Sequence, residues 1–395
     1  MSEADTAPGD AHEAPGQPPT PPVSDPRTPP AEPPGSPVNE RPTPPREQEV
    51  TAEQLSLARR LRQPRTIVSI AVPLLIIVVF VALNREQLAR VPELILAANP
   101  LLVLLAFAVF YLGFPLRGYR WALLLRGTGF YCPTKDATEI LFLSWLVNCV
   151  VPAKLGDVYR AYLLKINSDA SLSRTFGTVF IERVLDLFAI VILGLAAGFW
   201  SFRGKLPPEI QVVAGIGVAV MVVLALGLLF LRNAGRPLIA ALPLPRRARI
   251  LELYDRFEEG VFGAIGWRAL PRLLLLTGLI WGTESLRLWL VVQALAFPDV
   301  SLGLSGAVFV ALIGSLLTAV PLSPAGLGIV EAGMVGILTL VYGVPLAEAT
   351  AIALLDRVIS VFSIIVLGSI VYVLSPKPRG EGRIPEPPGT VAASA

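Results

Sequence analysis

The chain reads as an all-α polytopic membrane protein made of two inverted repeats, each with three full spans and one re-entrant helical hairpin. Three observations carry that expectation. Hydrophobic residues make up 53% of the 395 and charged residues only 16%, with a mean hydropathy of +0.64, outside the range of ordinary soluble domains. Several apolar runs reach the roughly 18–20 residues needed to cross hydrocarbon. The third observation is a duplication. PAKLGDVYR at 152–160 returns as PAGLGIVEA at 324–332 with five of nine positions identical, and ERVLDLFAIVILG at 182–194 returns as DRVISVFSIIVLG at 356–368 with six. Pro152 and Pro324 are 172 positions apart, Glu182 and Asp356 174, so the copies differ by a two-residue slip. Interrupted apolar segments at matching places in two halves point to a transporter-type site near mid-membrane.

Taken in order, residues 1–58 are expected to form a disordered, Pro-rich cytoplasmic tail. The first fifty hold fifteen of the thirty-seven prolines and too few large apolar side chains to offset ordering entropy. No apolar signal-peptide core is present there. Membrane repeat 1 covers 59–208, with spans at 66–83, 100–125 and 174–200. The apolar stretch 139–151 has thirteen residues before Pro152, too few to span, and suits a re-entrant segment. Residues 156–165 then return as a partly polar helix. Membrane repeat 2 covers 209–375, with spans at 209–231, 272–297 and 346–374 and an interrupted pair at 304–320 and 326–342. Its Arg-rich segment 232–270 contains an amphipathic piece expected to lie on the membrane surface. Residues 376–395 are expected to be a second disordered cytoplasmic tail.

Charge placement tests the count. With hairpins that return to their own side, each half crosses three times. The arginines before the first span, the 127–174 region, the 232–270 segment and Lys377, Arg379 and Arg383 then all fall inside, as the positive-inside rule requires. An odd count turns the second repeat upside down relative to the first. The expected location is a bacterial-type plasma membrane, with both termini cytoplasmic.

A charge at the centre of an apolar helix costs roughly 2.5–3.5 kcal/mol on insertion scales, so it should be paired or face water. Arg117 and Arg120 are three apart, as are Glu284 and Arg287. Glu182 and Asp186 share a helix face, with Arg183 turned about 100° away, and Asp356–Arg357 repeats Glu182–Arg183. One reading makes these salt bridges that tie helices together. The other places them around a polar cavity between the repeats, where arginine forks meet a phosphate and carboxylates hold the arginines.

The breaks have their own chemistry. At the first, Asn148 precedes Pro152, which removes a backbone donor, and Gly156 permits a close turn. The next helix would present free N–H groups to an anion, with Lys154, Asp157 and Arg160 beside them. At the second, Pro321, Pro324, Gly326 and Gly328 break the helix again. No basic residue replaces Lys154 or Arg160 there, and Glu331 appears instead. The plain alternative is that Pro and Gly only make tight hairpins. The expected lipid head-group contacts are these three charges at the first break, Arg117, Arg120, Glu182, Arg183, Asp186, Glu284, Arg287, Glu331, Asp356 and Arg357.

Other chemistry is not indicated. The sole histidine, His12, lies in the tail, and Cys132 and Cys149 make no metal-ligand spacing. There is no phosphate-binding loop, dinucleotide fingerprint or HExxH, and no nucleophile–base pair. No catalytic residue, metal, cofactor or nucleic-acid partner is expected, and the chain is not expected to be an enzyme. Trp121, Trp145, Trp200, Trp267, Trp281 and Trp289 fall mostly near span ends, where interfacial anchoring explains them.

The order N-x-x-x-P-x-x-x-G-[DE]-x-x-R (Asn148, Pro152, Gly156, Asp157, Arg160), E-R-x-x-D (Glu182, Arg183, Asp186), PLSPAGLGIVE and a closing D-R resembles the lysylphosphatidylglycerol synthase transmembrane region, also called the flippase-like domain family. The resemblance covers about residues 65–375. It implies a membrane half that moves lipid across the bilayer, while aminoacyl transfer belongs to a separate soluble domain. Twenty-one residues follow Leu374, so no such domain is expected here. The expected function is a lipid translocase for an anionic phospholipid or a polyprenyl-phosphate-linked lipid. The alternative is a non-transporting scaffold or accessory subunit of a lipid- or glycan-modifying enzyme. Expected partners are membrane lipids with anionic head groups, with a separate modifying enzyme and a second copy of the chain as further candidates.

Overall fold

The computed structural model describes Leu75, Val78 and residues 81–385, apart from 152–153, 205–206, 244, 299, 301 and 319–322. All of them belong to one compact unit, Thr51–Ala395. The expected tail 1–58, most of the first span at 66–83, residues 386–395, Pro152 and Pro321 lie outside the described residues.

Every regular element among the described residues is helical. Two short helices, Arg85–Leu88 and Val91–Leu96, lead to α1 (Pro100–Gly127). It opens where its sequence says it should: Pro100 needs no N–H partner at the first position, and the Asn99 side chain accepts from the Leu101 amide at 3.0 Å. There follow α2 (Thr134–Val150), α3 (Leu155–Ile166), α4 (Leu172–Ser201), α5 (Pro208–Phe230), α6 (Arg247–Gly263), α7 (Leu270–Leu295), α8 (Leu304–Leu317), α9 (Ile329–Leu340), α10 (Leu346–Arg357) and α11 (Ser363–Leu374). A π-helical turn, Val358–Phe362, joins α10 to α11, and another, Leu231–Gly235, carries α5 on to Ala241.

Among the described residues, four helices are long and apolar enough to cross a membrane: Pro100–Gly127, Ile210–Ala241, Leu270–Leu295 and Leu346–Leu374. The thirty residues of α4 span about 45 Å at 1.5 Å per residue. Its first half carries Glu182, Arg183 and Asp186.

The duplicated sequence is realised as reciprocal packing. Helices α1 and α7, which precede the two interrupted pairs, pack along each other. Each closing span then crosses over: α4 packs on α8 of the other half, and α11 on α2. Two glycines at the same place in the duplicated ILG/VLG motif sit at these crossings. A Cβ on Gly194 would lie 4.0 Å from Leu312 Cβ, and one on Gly368 3.0 Å from Leu146 Cβ. By contrast α5 is largely bare: it packs against α4, with only 6% of its most apolar window buried.

Two expectations change and one is filled in. Helix α2 begins at Thr134, five residues before the apolar run, because its polar first turn (TKDATE) is still helical. The amphipathic piece expected in 232–270 is a helix, α6. Helix α6 packs on the start of α4, so closely that a Cβ on Gly260 would lie 2.1 Å from the Arg174 carbonyl oxygen. Residues 376–385 are not loose either. Lys377 is 3% exposed and pairs with Asp136 at 2.5 Å. The Asn167 side chain donates to the Lys377 carbonyl at 2.9 Å and accepts from Gly382 at 2.8 Å. A polar, Pro- and Gly-rich composition reads as tail. One buried lysine and one asparagine that satisfies backbone groups are enough to hold it.

Candidate functional site

The buried charges form one ionic circuit built twice. In the first copy Arg120 of α1 donates to Asp186 (2.6 Å) and Glu182 (3.1 Å) of α4. Arg183, one residue on and so turned away, grips Asp157 of α3 with both arms, at 2.7 and 2.9 Å. In the second copy Arg287 of α7 grips Asp356 at 2.8 and 3.2 Å, and Arg357 turns to Glu331 of α9 at 2.7 Å. Both Asp157–Arg183 and Glu331–Arg357 are separated by 26 positions. Glu331 is therefore the counterpart of Asp157, although the PAKLG alignment sets it opposite Tyr159. The copies are joined through Glu284, which accepts from Arg117 at 2.5 Å and also pairs with Arg287. Forked pairs of this kind offset much of the desolvation that a buried charge costs.

The neighbours in sequence are thus not partners in space: Glu182 does not orient Arg183. Instead Glu182 also faces Arg160, at 3.1 Å. Arg160 is fully buried, with its guanidinium 4.8 Å from the Trp121 ring centroid, so it does not present itself at the break. The Arg183 fork, expected to be free for a phosphate, is taken by Asp157.

The breaks are closed by side chains. Asn148 accepts the Gly156 N–H at 2.8 Å and the Ser144 hydroxyl donates to the Gly156 carbonyl at 2.8 Å. That N–H is not left for an anion. At the second break Glu331 accepts the Gly328 N–H at 2.7 Å, and Arg357 donates to the Ala325 carbonyl at 2.5 Å. The backbone turns through a left-handed conformation at matching positions, Lys154 (φ 50°) and Gly326 (φ 71°). Glycine is at ease there and lysine is not.

Between the two circuits lies a cavity of about 380 Å³, walled by α1, α2, α4, α7, α8, α10 and both breaks. Arg117, Lys154, Asp157, Arg183, Asp186, Glu284, Arg287, Asp356 and Arg357 line it, together with Asn148 and Gly326. Arg120, Arg160, Glu182, Glu331, Gly156, Pro324 and Gly328 are not among its lining residues. Every arginine at the wall holds a carboxylate. The Lys154 ammonium makes no ion pair or hydrogen bond among the described residues. Among the described residues no three His, Cys, Asp or Glu side chains converge as a metal site requires.

Sequence reasoning missed several lining residues: Trp145, Trp281, Ser315 and Ser360. Trp145 lies 4.8 Å under the Arg117 guanidinium, and Trp281 donates to Asp186 at 3.2 Å. The signal for Trp281 was present, since it precedes Glu284 by one turn on the same helix face. Trp121, Trp145 and Trp281 are interior residues rather than interfacial anchors, and Trp289 packs against the core. Trp200 and Trp267 do project outward, 78% and 79% exposed.

The sequence pattern of the lysylphosphatidylglycerol synthase transmembrane region matches residues 66–368. A UPF0104 membrane protein of Methanocaldococcus jannaschii is 36% identical over 231 residues, which is 58% of this chain and 93% of that protein. Another, from Methanothermobacter thermautotrophicus, is 27% identical over 300 residues, 71% of this chain and 86% of its own length. A Haloferax volcanii protein named glycosyltransferase AglD is 28% identical over 308 residues, 70% of this chain and 49% of its own length, so the chain spans about half of that relative. The chain is a multi-pass membrane protein and belongs to the lysylphosphatidylglycerol synthase transmembrane region family.

Proposed function

We propose that the chain is a flippase-like lipid translocase, with no catalytic role of its own, for an anionic phospholipid or a polyprenyl-phosphate-linked lipid. The observation that carries this reading is the cavity of about 380 Å³, lined by charges from both halves and bounded by both breaks. Charge exposed to a cavity among membrane-crossing helices marks a path for polar groups. Here Lys154, a cation without a partner among the described residues, sets the sign of the ligand. In this reading α2–α3 and α8–α9 are re-entrant hairpins that enter from opposite faces. The repeats are inverted, both termini are cytoplasmic, and the chain sits in a bacterial-type plasma membrane. Reciprocal packing of Gly194 on Leu312 and Gly368 on Leu146 supports a two-fold relation of that kind. Acyl chains stay among the apolar helices while the head group passes between the breaks. The nearly unpacked α5 meets lipid or a second copy.

The test is translocation. Purified protein in liposomes that carry a fluorescent phosphatidylglycerol should make the inner-leaflet fraction accessible to a membrane-impermeant quencher. Folded protein that leaves the inner leaflet protected sinks the reading. Topology has its own check: single cysteines in 232–270 should label from the cytoplasmic side and one at Asp299 from outside. The reverse pattern would remove the hairpins.

A second reading is favoured by one observation, the match to half of a protein named as a glycosyltransferase. There the chain is a membrane module that seats a separate lipid- or glycan-modifying enzyme. Lipid-linked glycan synthesis that fails without the chain, in membranes where lipid movement is unchanged without it, would select this reading over transport.

A further inference from the structure

The charges of the cavity do not cancel. Arg117, Lys154, Arg183, Arg287 and Arg357 line it against Asp157, Asp186, Glu284 and Asp356. Outside the lining, Arg120 and Arg160 add two positive charges, and Glu182, which pairs with both, and Glu331, which pairs with Arg357, add two negative ones. The adjoining residues 152–153 and 319–322 contain no ionisable side chain. One positive charge is left over.

The surplus has an address. Asp157 and Asp186, the carboxylates whose charge Lys154 feels, are spent on Arg183 and Arg120. Two further donors in the same cavity are idle among the described residues: Arg117 Nη1 and Ser360 Oγ are both buried without a hydrogen-bond partner. Lys154 also holds a left-handed backbone, φ 50°, where its counterpart is Gly326 at φ 71°. A lysine in a glycine's conformation carries a left-handed backbone penalty of about 1–2 kcal/mol, and its ammonium is unpaired among the described residues.

We infer that the cavity is matched to a head group of single negative charge, a phosphodiester, with Lys154 as its charge contact and Arg117 Nη1 and Ser360 Oγ as supporting donors. The inference rests on the lipid-translocase reading and names the ligand class within it. A phosphodiester cancels the surplus. A phosphomonoester dianion or a pyrophosphate leaves net negative charge in a low-dielectric cavity, and a zwitterionic head group leaves the lysine uncompensated.

The test is equilibrium binding to the purified full chain in detergent, read by native mass spectrometry. The probes are phosphatidylglycerol, phosphatidylcholine and, above its second ionisation, phosphatidic acid. Phosphatidylglycerol should bind about 10- to 100-fold tighter than phosphatidylcholine, the equivalent of one charged hydrogen bond, and tighter than phosphatidic acid. Lys154→Gly should erase the preference for phosphatidylglycerol and raise the lipid-free melting temperature, because the strain is relieved. Lys154→Arg should keep the preference. A Lys154→Gly protein that melts lower and still prefers phosphatidylglycerol overturns the inference, as does phosphatidic acid binding as tightly. If the wild type binds lipids without regard to charge, this inference fails and translocation stands. If it binds no lipid, the translocase reading fails as well.

Discussion

At the second break Gly326 takes its left-handed turn at no steric cost, although Ala325 beside it is left-handed too (φ 51°), Glu331 caps Gly328, and Arg357 holds both Glu331 and the Ala325 carbonyl. At the first break the same turn is made by a lysine, an asparagine does the capping, and Asp157 and Arg183 pair with each other. The acid of the second break therefore serves two masters, a backbone cap and an arginine. At the first break that work is divided between Asn148 and Asp157, and among the described residues one cation, Lys154, is left unpaired. The scaffold is duplicated, and the unpaired charge is not. A difference of this kind separates what holds the fold from what waits for a ligand.

The comparison can be broken by removing the acids in the interior of the closing helices, Glu182 and Asp356. Glu182→Ala strands Arg160 and deprives Arg120 of one partner. It should destabilise by about 3–5 kcal/mol, the range for breaking a buried pair. Asp356→Ala should cost less, because Arg287 keeps Glu284. Thermal melting after detergent extraction checks the order, and equal losses would mean that the two circuits are not unequal in load. Next in size is Gly326→Ala. A Cβ there would lie 2.6 Å from Val330 Cγ2 at a backbone φ of 71°, so a loss of about 1–3 kcal/mol is expected. The mirror change Lys154→Gly should gain up to about 1 kcal/mol, the left-handed penalty of about 1–2 kcal/mol less the extra freedom of glycine in the unfolded chain, and matching signs at the two sites would erase the contrast.

Arg183→Lys sharpens the comparison further. It keeps the charge and loses the two-armed grip on Asp157, which frees that carboxylate to turn to Lys154. The protein should insert and melt within about 1–2 kcal/mol of wild type, yet move phosphatidylglycerol poorly in liposomes. Full activity in folded protein would make Arg183 a strut with no influence on the lysine. The smallest effect belongs to the surface pair Arg236–Asp255, with side chains 62% and 44% exposed. Asp255→Asn should change stability by under about 1 kcal/mol and leave lipid movement untouched.

Much of this was legible in the residues. The apolar runs gave four of the six expected spans as helices long and apolar enough to cross a membrane, and the repeated Glu182–Arg183 and Asp356–Arg357 pairs gave the duplication. Pairing was not legible. Consecutive residues on a helix point about 100° apart, so each arginine beside an acid serves a partner 26 positions away in the neighbouring helix. The two-residue slip falls between the break and the acid, and this set Glu331 opposite Tyr159 instead of Asp157. The order of residues 376–385 was hidden for another reason: it depends on Lys377 meeting Asp136, a contact across 241 positions that composition cannot show. Trp121 and Trp145 read as anchors because position near a span end says nothing of which way a ring faces.

The central claim is that an anionic head group occupies the cavity between the breaks. A photo-crosslinking residue at Ser315, which lines the cavity and pairs with no charge, tests it in native membranes. The control is the same residue at Leu226 on α5, 58% exposed on the outer surface. The account predicts that Ser315 captures phosphatidylglycerol in excess of its share of the membrane, that Lys154→Gly removes the excess, and that Leu226 captures lipids in proportion to their abundance. Capture at Ser315 that mirrors bulk lipid, or none at all, would contradict it.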